Sequence, residues 1–229
     1  MAPKDQATRG VSRQVLADHV YEALLSALMD GRLEAGTPVS IDGMARELDV
    51  SPTPVREALA RLEATGMVRR TALRGYRVAP LFTSHELADL MDARLVIEPA
   101  NAFMACNRAG DGLVRELAQA IDDLISAPRG PSFAEFRSYW EADERFHRLV
   151  AQHAGNQFLL SAYNALGGQV QRFRFFGGLG VTDADFAIAE HTEILKAIEA
   201  GDAGLARDKM IAHIQGVKLR SQHESEMRT

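Results

Sequence analysis

Apolar residues recur every three to four positions along most of the chain, which predicts a mainly helical protein. In the first eighty residues this spacing indicates three helices, over residues 15–30, 41–48 and 52–65. The third helix begins behind Ser51, a preferred N-cap residue, and has Pro52 at its first position. This combination favours a helix start, because the first helical position has no acceptor for a backbone N–H and proline lacks that N–H.

A hairpin is predicted after the third helix. Residues 68–71 and 76–79 have strand-like character and flank a Leu-Arg-Gly tripeptide, so we expect two strands with glycine at the tip. Three helices followed by a hairpin occur in this order in a winged helix-turn-helix, whose third helix fits the major groove of DNA. The alternative is an ordinary small helical domain in which Ser51 only caps a helix.

The candidate DNA contacts lie at the start of the third helix and at the hairpin tip. The first residues of a recognition helix reach base edges, and the free backbone N–H groups there favour a phosphate. An arginine at the hairpin tip is placed to reach the DNA backbone or the minor groove. The predicted DNA-binding residues are Ser51, Thr53, Arg56, Arg74 and Gly75.

The charge distribution changes what the net charge of −5 implies. Residues 1–80 carry 11 basic and 10 acidic residues, whereas residues 81–229 carry 15 basic and 21 acidic residues. Within residues 52–80, six arginines stand against two glutamates. A local patch of arginine suits contact with phosphate and guanine. The alternative is a solvated face of mixed charge.

Composition excludes several classes of protein. Apolar residues make up 46% and charged residues 25% of the chain, as in ordinary globular proteins. The single cysteine, Cys106, excludes an internal disulfide framework and a zinc site made only of cysteine. The sequence has no run of 18 apolar residues and begins with a polar stretch, so we expect a cytoplasmic protein without a membrane span or signal peptide.

From Thr83 onward the pattern predicts helices only. Thr83 and Glu86 have the spacing of a capping box, and Pro99 is expected to kink the helix that follows. The glycine-rich stretch at 177–180 is interpreted as a loop, since no strand precedes it as a dinucleotide fingerprint requires. We therefore predict a winged helix-turn-helix over residues 1–80 and an all-α bundle over 83–222. The remaining helices are predicted at 111–126, 132–154, 157–176, 183–200 and 202–222.

Four residues on three of these helices are spaced as metal ligands. Asp143 and His147 are four positions apart and share a helix face. His191 precedes Gly201 by 10 residues and His213 follows it by 12, so antiparallel folding places both about 15 to 18 Å from the turn. Three imidazoles and a carboxylate suit Zn²⁺, Ni²⁺, Mn²⁺ or Fe²⁺. The alternative is that the histidines are core or surface residues and that Asp143 pairs with a nearby arginine in solvent.

The first region resembles the GntR-type transcription regulators. The resemblance spans residues 14–80 and is carried by VSPTPVREAL at 50–59, GMV at 66–68 and RGYRV at 74–78. It implies that the third helix enters the major groove and that the hairpin lies against the DNA as a wing. The family usually has a basic residue where this chain has Pro52, which shifts the expected contact to Arg56 and the wing.

The second region resembles the all-helical FCD effector domain of the FadR branch of these regulators. The matching motifs are DERFH at 143–147, AGN at 154–156, EH at 190–191 and AHI at 212–214. The resemblance implies that Arg94 faces a ligand cavity and that a small carboxylate completes the coordination of a divalent metal, zinc foremost and nickel, manganese or iron as alternatives. The ligands implied are Asp143, His147, His191 and His213.

These observations predict a ligand-responsive transcription regulator that binds double-stranded operator DNA and senses a small organic acid. One short recognition helix contacts few base pairs, so we expect a homodimer on a palindromic operator. The alternative is a metalloenzyme acting on a small carboxylate with an attached DNA-binding module, with Glu144 and Glu190 as candidate bases. The sequence lacks an HExxH pair and a GxSxG elbow, which disfavours the enzyme.

Overall fold

The structure is a computed structural model that describes residues 5–72, 74–108, 110–130, 132–175 and 183–226. The predicted loop at 177–180 lies outside these ranges. Helix predominates, which confirms the expected mainly α class. The elements are α1 (Asp5–Met29), β1 (Pro38–Val39), α2 (Ile41–Glu47), α3 (Pro52–Ala64), β2 (Val68–Thr71), β3 (Gly75–Val78), α4 (Ser84–Arg108), α5 (Asp111–Ser126), α6 (Phe133–His153), α7 (Gln157–Phe175), α8 (Ala184–Glu199) and α9 (Ala203–Glu226).

The described residues form two compact units. The first comprises the residues up to Leu81 together with a short stretch that begins at Gln171. The second comprises Phe82–Val170 and the described C-terminal residues from 183 onward.

Helices α1 and α3 pack together in the core of the first unit. The buried face of α1 includes Val20, Leu24 and Leu28, which are spaced by one helical turn. Val15 and Leu16 fit the apolar spacing in the sequence but are 62% and 39% exposed, so they lie off this face. The buried residues of α3 are Pro54, Val55, Ala58, Leu59 and Leu62.

A tight turn connects α2 to α3. Asp49 has a positive φ of 52°, and the N–H groups of Asp49 and Val50 donate to the carbonyls of Arg46 and Ala45. This is the pattern by which a left-handed residue closes a helix C-terminus. The turn fixes where α3 begins, which is the feature that a helix-turn-helix requires.

The wing is a three-stranded sheet, whereas the sequence predicted only two strands. The strand order is β1-β3-β2, and β3 is antiparallel to both neighbours. The additional strand, β1, contains Pro38 two residues after Gly36, a pattern typical of a turn. Proline is tolerated in a strand at the edge of a sheet, where its missing N–H breaks no ladder.

Helix α4 is central to the second unit, because it packs on α6, α8 and α9. The predicted capping box at its start is confirmed: the N–H of Glu86 donates to Thr83 Oγ1, and the N–H of Thr83 donates to the Glu86 carboxylate. Pro99, expected to kink this helix, is buried within it, and α4 continues to Arg108. The other contacts of the bundle join α5 to α6 and α8, and α8 to α9.

In the described part of the chain, no helix combines the length and apolar character needed to cross a membrane.

Candidate metal centre and DNA-contacting face

Three helices of the second unit bring three buried histidines together. His147 on α6, His191 on α8 and His213 on α9 each offer one ring nitrogen, and these atoms lie within 4.8 Å of one another. The Nε2 atoms of His147 and His191 are 3.2 Å apart. Two nitrogens that share a zinc ion, each about 2.1 Å from it, are separated by roughly 3 to 3.5 Å, so this spacing fits shared coordination.

The helix pattern itself places these imidazoles inside the bundle. Each histidine occupies an apolar stripe, as at Phe146-His147 on α6 and at His213-Ile214 on α9, where all four residues are buried. The ring of Phe146 stacks on that of His191, with centroids 4.2 Å apart and an interplanar angle of 15°. The polar rings are therefore oriented by apolar packing.

Asp143 lies beside the triad. It precedes His147 by one turn on α6, is 3% exposed, and places its Oδ1 atom 3.8 Å from Nε2 of His191. The structure thus brings the four predicted ligands into one neighbourhood, with the three histidines as the tightest group.

Carboxylates contact the outer nitrogens of two of the histidines. Glu98 Oε2 is 2.7 Å from His147 Nδ1, and Glu190 Oε2 is 2.7 Å from His213 Nδ1. Metal-bound histidines are commonly oriented in this way by a carboxylate on the second ring nitrogen. Nε2 of His213 is buried and has no hydrogen-bond partner among the described residues. An orphaned ring nitrogen beside two other imidazoles is the atom that a metal ion would engage, so these residues fit a divalent metal.

The charges around the triad favour metal binding. Burial lowers the pKa of His213 well below its ordinary value, and the neighbouring His147 and Arg94 lower it further, so this ring is neutral as a ligand must be. Burial would raise the pKa of Glu98, but Arg94 and His147 outweigh it and hold the pKa well below the usual range. Glu98 is therefore a charged carboxylate.

Arg94, the predicted ligand-binding residue, is 1% exposed and already has a partner. Its Nε donates to Glu98 Oε1 at 2.6 Å, and Nη1 lies only near the sulfur of Met91, at 3.9 Å. Arg94 therefore links to His147 through Glu98. Its contact with an effector stays a prediction, with Nη1 as the group available for it.

Two features of this region escaped the sequence reasoning. Arg220 on α9 forms a double hydrogen bond with Glu190. Asn101 on α4 is 1% exposed, and neither amide atom has a hydrogen-bond partner among the described residues. A polar residue at the i+7 position from Arg94, on the same buried face, was the available signal for Asn101.

The predicted DNA contacts are all exposed. Ser51, Thr53 and Arg56 lie at the N-terminus of α3, and Ser51 occupies the N-cap position without a side-chain capping hydrogen bond. Arg74 and Gly75 lie at the turn between β2 and β3, where Gly75 has a φ of 76°. That left-handed conformation favours glycine.

The arginines of the basic segment do not share one environment. Arg61 pairs with Asp18 on α1 at 2.6 Å, and its guanidinium carbon lies 4.0 Å from the ring centroid of Tyr21. Arg61 therefore connects α1 to α3, and we no longer count it among the predicted phosphate contacts. Arg69 and Arg77 are exposed and stand directly opposite each other on β2 and β3. Like charges in that register repel, and Arg77 Nη1 donates to the carbonyl of Gly36 at 3.0 Å.

Two family models match separate parts of the chain. Residues 16–78 match the family described as bacterial regulatory proteins, gntR family, and residues 89–216 match the FCD domain. The chain is 29% identical over 210 residues to a probable D-xylose utilization operon transcriptional repressor of Paenarthrobacter nicotinovorans, which covers 92% of this chain and 90% of that protein.

Solved structures share the fold. E. coli McbR/YncC superposes with a TM-score of 0.69 at 18% identity, covering 92% of this chain and 98% of that chain. A structure titled the metal-free FCD domain of TM0439 covers 64% of this chain and 98% of its own, with a TM-score of 0.51 at 18% identity. The chain belongs to the GntR family of bacterial regulatory proteins with an FCD domain, and it is therefore a DNA-binding transcriptional regulator.

Proposed function

We propose that this regulator couples a metal-dependent acid sensor to operator binding, with residues 1–80 as the DNA-binding domain and residues 83–222 as the sensor. The observation that carries the proposal is the convergence of three buried imidazoles, two of which have a carboxylate oxygen 2.7 Å from their Nδ1 atoms. Such an arrangement suits a cation, because it gathers three ring nitrogens and a carboxylate in one buried place.

His147, His191, His213 and Asp143 would hold a divalent metal, with zinc foremost. When bound, the ion supplies a Lewis-acidic position at which a small carboxylate can coordinate, provided that its geometry leaves a site open beside four protein ligands. The chain's own residues keep His213 neutral and place carboxylates beside His147 and His213, and the surrounding apolar packing excludes bulk water.

The effector is a small organic acid, such as a hydroxy acid or a sugar acid. The Nη1 group of Arg94 offers a charge-assisted hydrogen bond to the carboxylate, and the amide of Asn101 offers both a donor and an acceptor to a hydroxyl group. A ligand with both groups matches this pair better than a simple monocarboxylate does.

The operator is palindromic and the regulator binds it as a homodimer. A single short recognition helix presents only Ser51, Thr53 and Arg56 toward base edges, which gives one copy modest specificity. Two-fold symmetry doubles these contacts.

The test joins metal content to acid binding. Purified protein is assayed by elemental analysis and then titrated calorimetrically with lactate, gluconate and citrate. We expect about one metal ion per chain, and we expect His213→Ala to lose both the metal and the acid response. His153→Ala is the control on α6, since His153 is partly exposed and outside the triad. Metal-free protein that binds these acids as well as the metal-loaded form contradicts the proposal.

A further inference from the structure

A salt bridge between α8 and α9 holds the carboxylate that contacts His213. Arg220 Nη1 donates to Glu190 Oε1 at 2.8 Å, and Nη2 donates to Oε2 at 2.9 Å. Arg220 Nε donates to Asp183, the N-cap residue of α8, at 3.0 Å. The guanidinium therefore binds one carboxylate with two of its nitrogens and a second carboxylate with the third.

This pairing determines what Glu190 can do for His213. A carboxylate held bidentately by arginine has fixed oxygen positions and is an acceptor only. Glu190 Oε2, 2.7 Å from His213 Nδ1, then requires the imidazole hydrogen on Nδ1. With the hydrogen there, the lone pair of the neutral ring lies on Nε2, the buried atom that has no hydrogen-bond partner among the described residues. The ring centroid lies 5.1 Å from that of His147 and 4.6 Å from that of His191.

Gly216 on α9 provides the space for this salt bridge. A Cβ at position 216 would lie 2.7 Å from Glu190 Oε1 and 2.8 Å from Arg220 Nη1, closer than a side-chain carbon can approach. Glycine is otherwise unfavourable inside a helix, so its presence one turn after His213 has a local steric reason.

We propose that Arg220 and Gly216 are positioning residues for His213, which they orient through Glu190 so that Nε2 faces the metal site. The metal part of this inference rests on the proposed function. The orientation of the imidazole does not, because it is a property of the metal-free protein as well.

A second arginine–carboxylate–histidine series, Arg94–Glu98–His147, has the same order but is a poorer place for a test. The side chains of Arg94 and Glu98 are 2% and 4% exposed, so removing either leaves a buried charge. The side chains of Arg220 and Glu190 are 23% and 25% exposed, and solvent can compensate a substitution there. Loss of function at Arg220 can therefore be separated from unfolding.

The first measurement is the tautomer of His213 in metal-free protein, determined from long-range ¹H–¹⁵N correlation of the imidazole nitrogens. We expect the Nδ1–H tautomer in the parent and a mixture of tautomers in Arg220→Gln and Gly216→Ala. Arg207→Gln, an exposed arginine on α9 paired only with its neighbour Asp208, and Gly167→Ala, a helical glycine with open space at its Cβ, are the matched controls. An Nε2–H tautomer in the parent overturns the proposal.

The second measurement is zinc affinity by competition with a chromophoric chelator, together with the visible spectrum of the Co²⁺ form. Loss of groups that orient metal ligands typically weakens binding by about 10- to 100-fold, and we expect this range for Glu190→Gln and Arg220→Gln. Arg220→Lys should recover part of the affinity, since its charge is kept but the double hydrogen bond is lost.

The two measurements separate the two hypotheses. A parent that shows the Nδ1–H tautomer but binds neither zinc nor cobalt supports the orientation by Arg220 and contradicts the proposed metal function. Variants that bind zinc as tightly as the parent, with an unchanged cobalt spectrum, contradict the positioning role.

Discussion

The two candidate sites of this regulator differ in the exposure of their charged side chains. In the first unit, Arg56 and Arg74 are exposed at the ends of a helix and a hairpin. In the second unit, Arg94 and Glu98 are buried and paired inside the bundle. An exposed arginine stays hydrated, so its charge adds little to the free energy of folding. A buried charge loses its hydration and must be compensated by a partner within the fold, whether or not a ligand is bound. The predicted DNA-contacting face therefore presents exposed charge to solvent, whereas Arg94 and Glu98 beside the candidate metal centre are paired with each other within the fold.

The largest expected effect is a loss of stability on removing one partner of the buried Arg94–Glu98 pair. Glu98→Ala leaves Arg94 without its carboxylate in a site where Arg94 is 1% exposed, and removing one partner of a buried ion pair costs about 3 to 5 kcal/mol. Urea unfolding, followed by the fluorescence of Trp140, measures this loss. Glu193→Ala, which removes a solvent-exposed carboxylate of α8, should cost less than about 1 kcal/mol. Equal losses in the two variants would show that burial does not govern the cost.

The predicted DNA-contacting face is tested by measuring the DNA affinity of Arg56→Ala. The DNA used is a sequence that the parent protein selects from a random-sequence pool. Loss of a base-contacting arginine costs about 1 to 3 kcal/mol of specific binding without changing stability. Arg74→Ala should weaken binding evenly across sequences and reduce the salt dependence by about one phosphate contact. Fluorescence anisotropy at several salt concentrations measures both, with Arg32→Ala as an exposed control. Parental affinity in both variants would contradict the assigned DNA-contacting face.

Asn101 sharpens the comparison, because it is a buried polar residue whose amide lacks the compensation that Arg94 has. Asn101→Leu removes a buried amide of nearly the same shape, so the free energy of unfolding should stay constant or rise by up to about 1 kcal/mol. Metal content should be unchanged, while the response to a hydroxy acid falls by about tenfold, the equivalent of one hydrogen bond. Calorimetry with lactate and with acetate, which lacks the hydroxyl, measures the difference. A loss of stability, or an equal loss for both acids, would exclude a specific hydroxyl contact.

The smallest effect concerns the opposed arginines of the wing. Arg69→Gln relieves repulsion from Arg77, and removing a like-charge cross-strand pair should raise stability by about 0.2 to 1 kcal/mol in the absence of DNA. The same change should lower DNA affinity. Thermal unfolding at low and high salt measures the first effect, and the gain should shrink as salt screens the repulsion.

The sequence predicts elements well where local signals agree. Helix α5 runs from Asp111 to Ser126 as expected, because Gly110 stands before it and Pro128 follows. Strand β1 was missed, since two residues carry no periodicity and its partner lies more than thirty residues away. Val15 and Leu16 matched the apolar spacing of α1 but are exposed, which shows that spacing alone does not choose between neighbouring helix faces.

In the candidate metal centre, too, local spacing predicts some features and tertiary packing determines the others. The spacing of Asp143 and His147 and the matched heights of His191 and His213 predict that these four residues share one neighbourhood. The bond between Glu190 and Arg220 joins residues 30 positions apart, and helical periodicity does not specify which long side chains meet across two helices. The pairing of Arg94 with Glu98 was accessible as an i,i+4 spacing, but its burial depends on tertiary packing.

Gly216 also has a consequence for protein engineering. A designer seeking a thermostable version of this regulator would replace helical glycines by alanine, a substitution that ordinarily adds about 0.5 to 1 kcal/mol. At Gly167 that choice meets no steric barrier, because no atom of the described residues lies within 4 Å of the added carbon. At Gly216 the same choice would press on Glu190 and Arg220, so a score based on helix propensity alone would overlook the salt bridge that lies beside His213.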